Sequence, residues 1–180
     1  MSKIPNTHPA IVQYKAPVLR LKAEPVLAEE FGTKTIAEML LAMSTALADC
    51  DDGVALAAPQ IGISKRIFIL SPRAFSNKVE PPSPESLVFI NPTISKLASR
   101  KQLLDEGCLS VRGYFGKIKR AEKATVEAYD FNGKRFARGA SGLLAQIFQH
   151  EVDHLDGVLF TDKTEQLEEV SRVQNLESSI

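Results

Sequence analysis

Residues 141–157 read SGLLAQIFQHEVDHLDG and predict the helix around which the fold is organised. The apolar residues of this stretch recur at helical spacing: Leu143, Leu144, Ile147, Phe148 and Leu155. A helix that is apolar on nearly all of its faces is normally buried. The stretch therefore predicts a central, buried helix that stops near Gly157.

Two histidines of this helix, His150 and His154, lie four residues apart. At 3.6 residues per turn their side chains are offset by only about 40°, so both can bind one transition metal ion. Glu151 stands beside them, close enough to reach a water at the metal without being a ligand. The alternative is a pair of histidines satisfied by hydrogen bonds in the core, which would be costly to bury in an apolar helix without benefit. The metal site is the favoured interpretation.

Cys108, in the segment EGCLS at residues 106–110, offers a third ligand. A catalytic metal usually takes three protein ligands and keeps one position open, and a thiolate suits zinc or ferrous iron. A free cysteine is more often a small buried apolar residue, and its position in the chain does not show that it meets the histidines. Cys50, at the end of a predicted helix, is interpreted as packing.

A third stretch, GVALAAPQIG at residues 53–62, is rich in small residues. Small side chains let a backbone run close to another object, either a packed strand or a ligand. Tight packing explains this stretch on its own. If Gln60 faced the metal, however, its amide could donate a hydrogen bond to a developing oxyanion.

The remaining pattern predicts an α+β fold, with antiparallel or mixed β-sheets packed around the central helix and with N-terminal and C-terminal helices. Apolar runs predict strands at residues 66–70, 87–91, 125–131 and 134–137. Asn132-Gly133 predicts a hairpin between the last two. An N-terminal helix is predicted over residues 35–50, with Thr35 and Glu38 as a capping box. A polar C-terminal helix is predicted over residues 164–180.

Composition predicts a single domain over residues 1–180, because 44% of the chain is hydrophobic and 24% is charged. Lys and Arg number 22, as do Asp and Glu, so charge alone predicts neither a nucleic-acid nor a membrane partner. No apolar run reaches the length of a transmembrane helix, and the first residues lack the order of a secretory signal. These features predict a cytoplasmic protein.

Taken together, three stretches resemble the signature motifs of the peptide deformylase family. The family motif Gly-h-Gly-h-Ala-Ala-x-Gln, in which h is apolar, matches residues 53–60 except at Ala55. The motif Glu-Gly-Cys-h-Ser matches residues 106–110, and Gln-His-Glu-h-Asp-His matches residues 149–154 throughout. The likeness extends over roughly residues 4–163, and three motifs in order are far more specific than one.

The resemblance implies a role for each matched residue. The metal ligands would be Cys108, His150 and His154. The ion would be Fe²⁺ in the cell, with Ni²⁺ or Zn²⁺ able to substitute. Glu151 would take a proton from the attacking water and pass it to the leaving amine. Gln60 and the backbone N–H of Leu109 would stabilise the oxyanion.

The resemblance also implies the surroundings of the reaction. Val54, Ala55 and Gly107 would bind the substrate, while Glu106 would contact a ligand rather than the metal and be held by Arg120. The partners would be formyl-methionyl nascent peptides and, transiently, the ribosome, with no specific nucleic-acid sequence and no membrane.

Two departures from the family pattern bear on activity and specificity. Ala55 replaces a glycine, so a methyl group could narrow the groove or exclude a positive φ. After Ser110, the segment from Arg112 to Lys117 also differs from the family at the edge of the peptide groove.

Two other functions are compatible with the sequence. A zinc endopeptidase shares the His-Glu-x-x-His helix, and its third ligand could come from Glu165, Glu168 or Glu169. A non-catalytic deformylase-like binding protein is the second, with Ala55 as its support.

Overall fold

The structure, a computed structural model, describes residues 8–75, 83 and 87–169. It contains two α-helices, α1 (Lys34–Ala48) and α2 (Leu143–Leu155). The strands are β1 (Ala55–Ala57), β2 (Ile67–Leu70), β3 (Val88–Leu97), β4 (Lys101–Gly107), β5 (Tyr114–Ala121), β6 (Lys123–Tyr129), β7 (Arg135–Ser141) and β8 (Leu167–Glu169). Short 3-10 turns join them, among them Ala58–Ile61 directly after β1.

The strands form two sheets in which every paired neighbour is antiparallel. One sheet has the order β1-β2-β3-β6-β7, and the other has the order β4-β5-β8. The predicted α+β architecture with a central helix is confirmed.

Both faces of the larger sheet are covered at β1 and β2, which explains why these strands are apolar without alternation. Leu56, Ile67 and Ile69 belong to the cluster on the α1 side, together with Ile36, Met43 and Leu47 of that helix. The intervening residues, such as Phe68 and Leu70, belong to the cluster on the α2 side, with Phe148, Val152 and Leu155. Because successive side chains alternate, one strand supplies both clusters. The central helix is therefore buried, as predicted.

The start of α1 differs from the prediction. Thr33 is the N-cap, and its Oγ1 accepts the N–H of Ile36 at 3.4 Å, so the predicted capping box at Thr35 is wrong. Gly32 has a φ of 69°, a left-handed conformation that ends the preceding segment and leaves Thr33 as the first residue able to cap. Glu38 instead forms an exposed ion pair with Lys34.

The predicted hairpin at Asn132-Gly133 is present and joins β6 to β7. Asp130 Oδ1 accepts the N–H groups of Asn132 and Lys134, both at 2.9 Å, and Gly133 has a φ of 78°. By contrast, β4 and β5 were not predicted. They pair over seven residues, but Gly116 and several charged residues interrupt the alternation that marks a strand.

The predicted C-terminal helix is wrong over residues 164–169. Leu167–Glu169 is strand β8, which pairs with Tyr114, Phe115 and Gly116 of β5. Hydrogen bonding to the edge of β5 satisfies this backbone, and the side chain of Thr164 packs against Gly116, where a Cβ would lie only 2.6 Å from Thr164 Oγ1. Residues 170–180 of the prediction lie outside the described residues. In the described part of the chain, no helix is long and apolar enough to cross a membrane.

Candidate metal centre

Three potential metal ligands converge where α2 meets the end of β4. One ligand atom from each of Cys108, His150 and His154 lies within 4.8 Å of the other two, and Cys108 Sγ is 3.2 Å from His154 Nε2. The histidines project from α2, and the cysteine follows β4 directly. One thiolate and two imidazoles are a donor set that suits a divalent transition metal ion. Cys108 therefore meets both histidines, a contact that the spacing along the chain does not predict.

Glu106 orients one of these histidines. His150 Nδ1 lies 2.6 Å from Glu106 Oε1, which leaves Nε2 of the ring for a metal. The Glu106 carboxylate is itself held by Arg120, through Nε at 2.9 Å and Nη2 at 2.6 Å. A carboxylate that accepts the second N–H of a ligating histidine fixes the tautomer and the orientation of the ring. This is the arrangement that the resemblance implied for Glu106 and Arg120.

These contacts set the charge of the site. Burial acts to raise the pKa of Glu106, but hydrogen bonds from His150 and Arg120 outweigh it and lower that pKa to about 2. Burial acts to lower the pKa of His150, but hydrogen bonds with Cys108 and Glu106 outweigh burial and raise that pKa well above 6.5. Burial, with the nearby charge of His150, lowers the pKa of His154 well below 6.5. His154 is therefore a neutral imidazole at pH 7, the form that binds a metal.

Glu151 is buried beside the ligands, with 3% of its surface exposed. Burial raises the pKa of its carboxyl group to about 7. Its Oε2 atom has no hydrogen-bond partner among the described residues. A carboxyl group with a pKa near neutrality can both accept and return a proton, and an unpartnered oxygen is available for that exchange.

Gln60 is oriented by the backbone next to it. Its Oε1 accepts the N–H of Ala57 at 2.8 Å, so the amide nitrogen must face the other way. Nε2 lies 3.5 Å from Cys108 Sγ and 3.3 Å from Ser110 Oγ. Within the described part of the chain, the Leu109 N–H donates no backbone hydrogen bond. Two N–H donors thus lie next to the cysteine.

The centre opens into a cavity of about 490 Å³. Its lining includes Gln60, Cys108, Leu109, His150 and Glu151, together with Val54, Ala55 and Gly107. The site residues predicted from the sequence are therefore all brought to one place, with Arg120 and His154 buried behind the wall of the cavity. Glu168 and Glu169 lie on β8 and are not part of the ligand cluster found among the described residues.

Comparison with known proteins identifies the family. Residues 9–170 match the polypeptide deformylase family. The chain belongs to that family. It is 40% identical to the peptide deformylase of Desulforudis audaxviator over 156 residues, which cover 85% of this chain and 91% of that protein. It is 37% identical to the peptide deformylase of Dehalococcoides mccartyi over 164 residues, covering 91% of this chain and 90% of that one.

Solved structures of the deformylase family share the fold. The actinonin-bound class I type b peptide deformylase of Acinetobacter baumannii superposes with a TM-score of 0.75 at 35% identity, covering 86% of this chain and 97% of that chain. The peptide deformylase of Thermotoga maritima superposes with a TM-score of 0.74 at 30% identity, covering 91% of this chain and 99% of that chain. As a member of this family, the chain is a hydrolase whose Cys/His/His cluster accommodates a divalent metal ion.

The departure from the deformylase motif at Ala55 is compatible with this backbone. Ala55 lies in β1 opposite Leu70, and the one non-glycine residue with a positive φ among the described residues is Asn91. A glycine is therefore not required for conformational reasons at this position. Ala55 is nearly buried, yet it also lines the cavity, so its methyl group can act on a bound peptide.

We expect Ala55→Gly to lower the KM for formyl peptides a few-fold and to leave kcat almost unchanged, because removing the methyl group widens the groove. A glycine in a strand should also cost about 0.5–1 kcal/mol of stability. Ala128→Gly is the matched control, since Ala128 is a buried strand residue in the same apolar cluster but does not line the cavity. Unchanged steady-state kinetics in Ala55→Gly would count against a role for this methyl group.

Two further residues of the centre were not singled out from the sequence. Gln149 Oε1 accepts the N–H of Ala121, and Gln149 Nε2 donates to Ala121 O, each at 3.0 Å, which docks α2 on the end of β5. Asp153 accepts hydrogen bonds from Arg120 and Lys163, each at 2.6 Å. Both residues belong to the third motif. The sequence signal for both is a polar side chain within a helix predicted to be buried, because polar groups in such a place are normally hydrogen-bonded to neighbouring elements.

Proposed function

We propose that this protein removes the formyl group from the N-terminal formyl-methionine of nascent polypeptides and releases formate. The observation that carries the proposal is the convergence of Cys108, His150 and His154 beside the buried Glu151 in one cavity. Membership of the polypeptide deformylase family supports the same reaction. No feature of the site, as the described residues form it, favours an endopeptidase or a binding protein instead.

The ion that we propose for the cell is Fe²⁺, for which Ni²⁺ or Zn²⁺ can substitute. When bound by Cys108, His150 and His154, such an ion would polarise the formyl carbonyl and make water a better nucleophile at neutral pH. Glu106 and Arg120 would contribute by holding His150 in the orientation that binds the ion.

Glu151 would act as general base and then as general acid. Its carboxylate would take a proton from the attacking water, and the same carboxyl group would deliver that proton to the nitrogen of the leaving amine. A pKa raised to about 7 by burial suits both steps. Because both transfers use one side chain, the departing peptide leaves as a free amine without a second acid.

Gln60 Nε2 and the backbone N–H of Leu109 would stabilise the oxygen of the tetrahedral intermediate. The bond from Ala57 N–H to Gln60 Oε1 holds the amide in the donating orientation before substrate arrives. Donors that need no reorientation stabilise developing charge most effectively. The apolar walls of the cavity, including Val54, Leu109 and Ile147, would receive the methionine side chain.

We further propose that the protein acts in the cytoplasm, on chains that emerge from the ribosome, with which its association would be transient. Formylated N-termini are presented there. The substrate-binding role of Val54, Ala55 and Gly107 rests on their position in the wall of the cavity.

The test is formate release from a short formyl-methionyl peptide, with protein purified without oxygen and loaded with Fe²⁺ or Ni²⁺. We expect turnover that requires the bound metal. A fully metal-loaded protein that binds the peptide without releasing formate would contradict the proposal and would favour a non-catalytic binding protein.

An ion pair lies at the edge of the cavity, where the chain departs from the family after Ser110. Arg112 Nη1 is 2.5 Å from Asp52 Oδ2, and both residues line the cavity from different segments. We propose that this pair influences which residues are accepted after methionine.

In Arg112→Met, Asp52 is left as an uncompensated negative charge at the edge of the cavity. We expect the ratio of kcat/KM for peptides with lysine over peptides with glutamate after methionine to rise up to about fivefold, in keeping with partly exposed ion pairs. The effect should shrink in high salt. Arg100→Met, which breaks an exposed pair with Glu122 outside the cavity, is the control. An unchanged ratio in Arg112→Met would contradict the proposal.

A further inference from the structure

The ligands of the candidate metal centre come from two elements, and the side chain of Gln146 joins them. Gln146 lies in α2, and its Nε2 donates to the backbone oxygen of Asp105 at 2.8 Å. The same nitrogen is 3.5 Å from Glu106 Oε2. Asp105 and Glu106 lie near the end of β4, three and two residues before Cys108, respectively.

Gln146 stands on the face of α2 that bears the ligands. It precedes His150 by four residues and His154 by eight, and residues with this spacing follow one another along one side of a helix. One side chain on this face therefore holds the strand end that delivers Cys108.

Other hydrogen bonds between α2 and β4 are of a different kind. Within β4, His150 contacts the carboxylate of Glu106, which belongs to a side chain with rotatable bonds. Gln149 reaches the main chain of β5, not of β4. Among the side-chain hydrogen bonds of the described residues, the Gln146–Asp105 bond is the one that joins α2 to the main chain of β4. A bond to the main chain restrains the path of the chain more directly than one to a side chain.

We propose that Gln146 is a positioning residue that sets the distance between Cys108 and the histidines and thereby slows the loss of the metal ion. The inference rests on the metal centre of the proposed function. Gln146 also lines the cavity, but the role assigned here does not require it to touch the substrate.

The test is the rate at which a chelator removes Ni²⁺ from the loaded protein. Gln146→Met keeps the length and helix propensity of the side chain and removes its hydrogen-bond donor. We expect metal loss to be about tenfold faster, the lower end of the effect of residues that support metal ligands. Gln102→Met is the matched control: Gln102 lies on the same strand and donates to Glu122 at 2.7 Å, away from the centre. It should lose the ion at the wild-type rate.

Two further measurements separate positioning from general stability. The metal-free forms of Gln146→Met and Gln102→Met should have similar melting temperatures. Gln146→Glu, which keeps the shape but has no donor at pH 7, should lose metal at least as fast as Gln146→Met.

Wild-type rates of metal loss in Gln146→Met or Gln146→Glu would overturn the inference, as would a fall in melting temperature of the metal-free protein that accounts for the faster loss. Because this assay uses no peptide, an absence of deformylation would leave its result intact. Failure of the wild-type protein to bind Ni²⁺ would overturn the metal centre itself.

Discussion

Replacing Glu151 by alanine is expected to reduce formate release by roughly 10³- to 10⁴-fold, the upper range for loss of a general acid–base group. The reason is that Glu151 is buried beside the cluster, with a pKa raised to about 7, and has an oxygen without a partner among the described residues. The metal should remain bound, because Cys108, His150 and His154 are the candidate ligands. Single-turnover formate release and metal analysis on the same sample are the measurements.

Glu151→Gln tests the proton transfer more directly than Glu151→Ala, because glutamine has the shape of glutamate but cannot accept the proton. It should be nearly as inactive as Glu151→Ala, whereas Glu151→Asp should retain part of the activity. Glu38→Ala, which removes an exposed carboxylate on α1, should leave kcat unchanged. Substantial turnover by Glu151→Gln with the metal still bound would show that another group moves the proton.

Replacing Arg120 by methionine is expected to lower the free energy of unfolding of the metal-free protein by about 3–5 kcal/mol. Arg120 is 3% exposed and donates to Glu106 and Asp153. The variant therefore leaves the buried Glu106 carboxylate without its arginine and leaves Asp153 with Lys163 as its cation. Metal affinity should also fall, by about 10- to 100-fold, because Glu106 would no longer be held against His150. Urea unfolding and competition with a chelator measure the two effects.

The loss of unfolding free energy in Arg120→Met should become smaller as the pH falls. The pKa of Glu106 is lowered from 4.5 to about 2 in the folded wild-type protein, so the stability from its contacts is present above pH 4.5 and is lost as pH falls towards 2. The difference between wild type and variant should therefore shrink as the pH is lowered from 7 to 3. Adding Glu106→Gln to Arg120→Met should restore part of the stability at pH 7. A penalty that is independent of pH would show that lost packing, and not the charge of Glu106, causes it.

Local patterns predicted part of the fold and failed at particular places. Thr33, and not the predicted Thr35, is the N-cap of α1, because Gly32 before it adopts a left-handed conformation. Alternation does not predict strands β4 and β5, because Gly116 and charged residues interrupt it. A polar helix was predicted after residue 164, but Leu167 lies in β8, where hydrogen bonding to β5 decides the conformation.

The sequence by itself determined the central helix, the adjacent pair His150 and His154, and the place of Glu151 beside them, because helical periodicity puts these residues together without reference to the rest of the chain. Only the tertiary structure decided that Cys108 meets the histidines, since this depends on β4 packing against α2 through Glu106 and its neighbours. It also decided the direction of the Gln60 amide and the raised pKa of Glu151. Those properties arise from hydrogen bonds and burial between distant segments, which no spacing along the chain encodes.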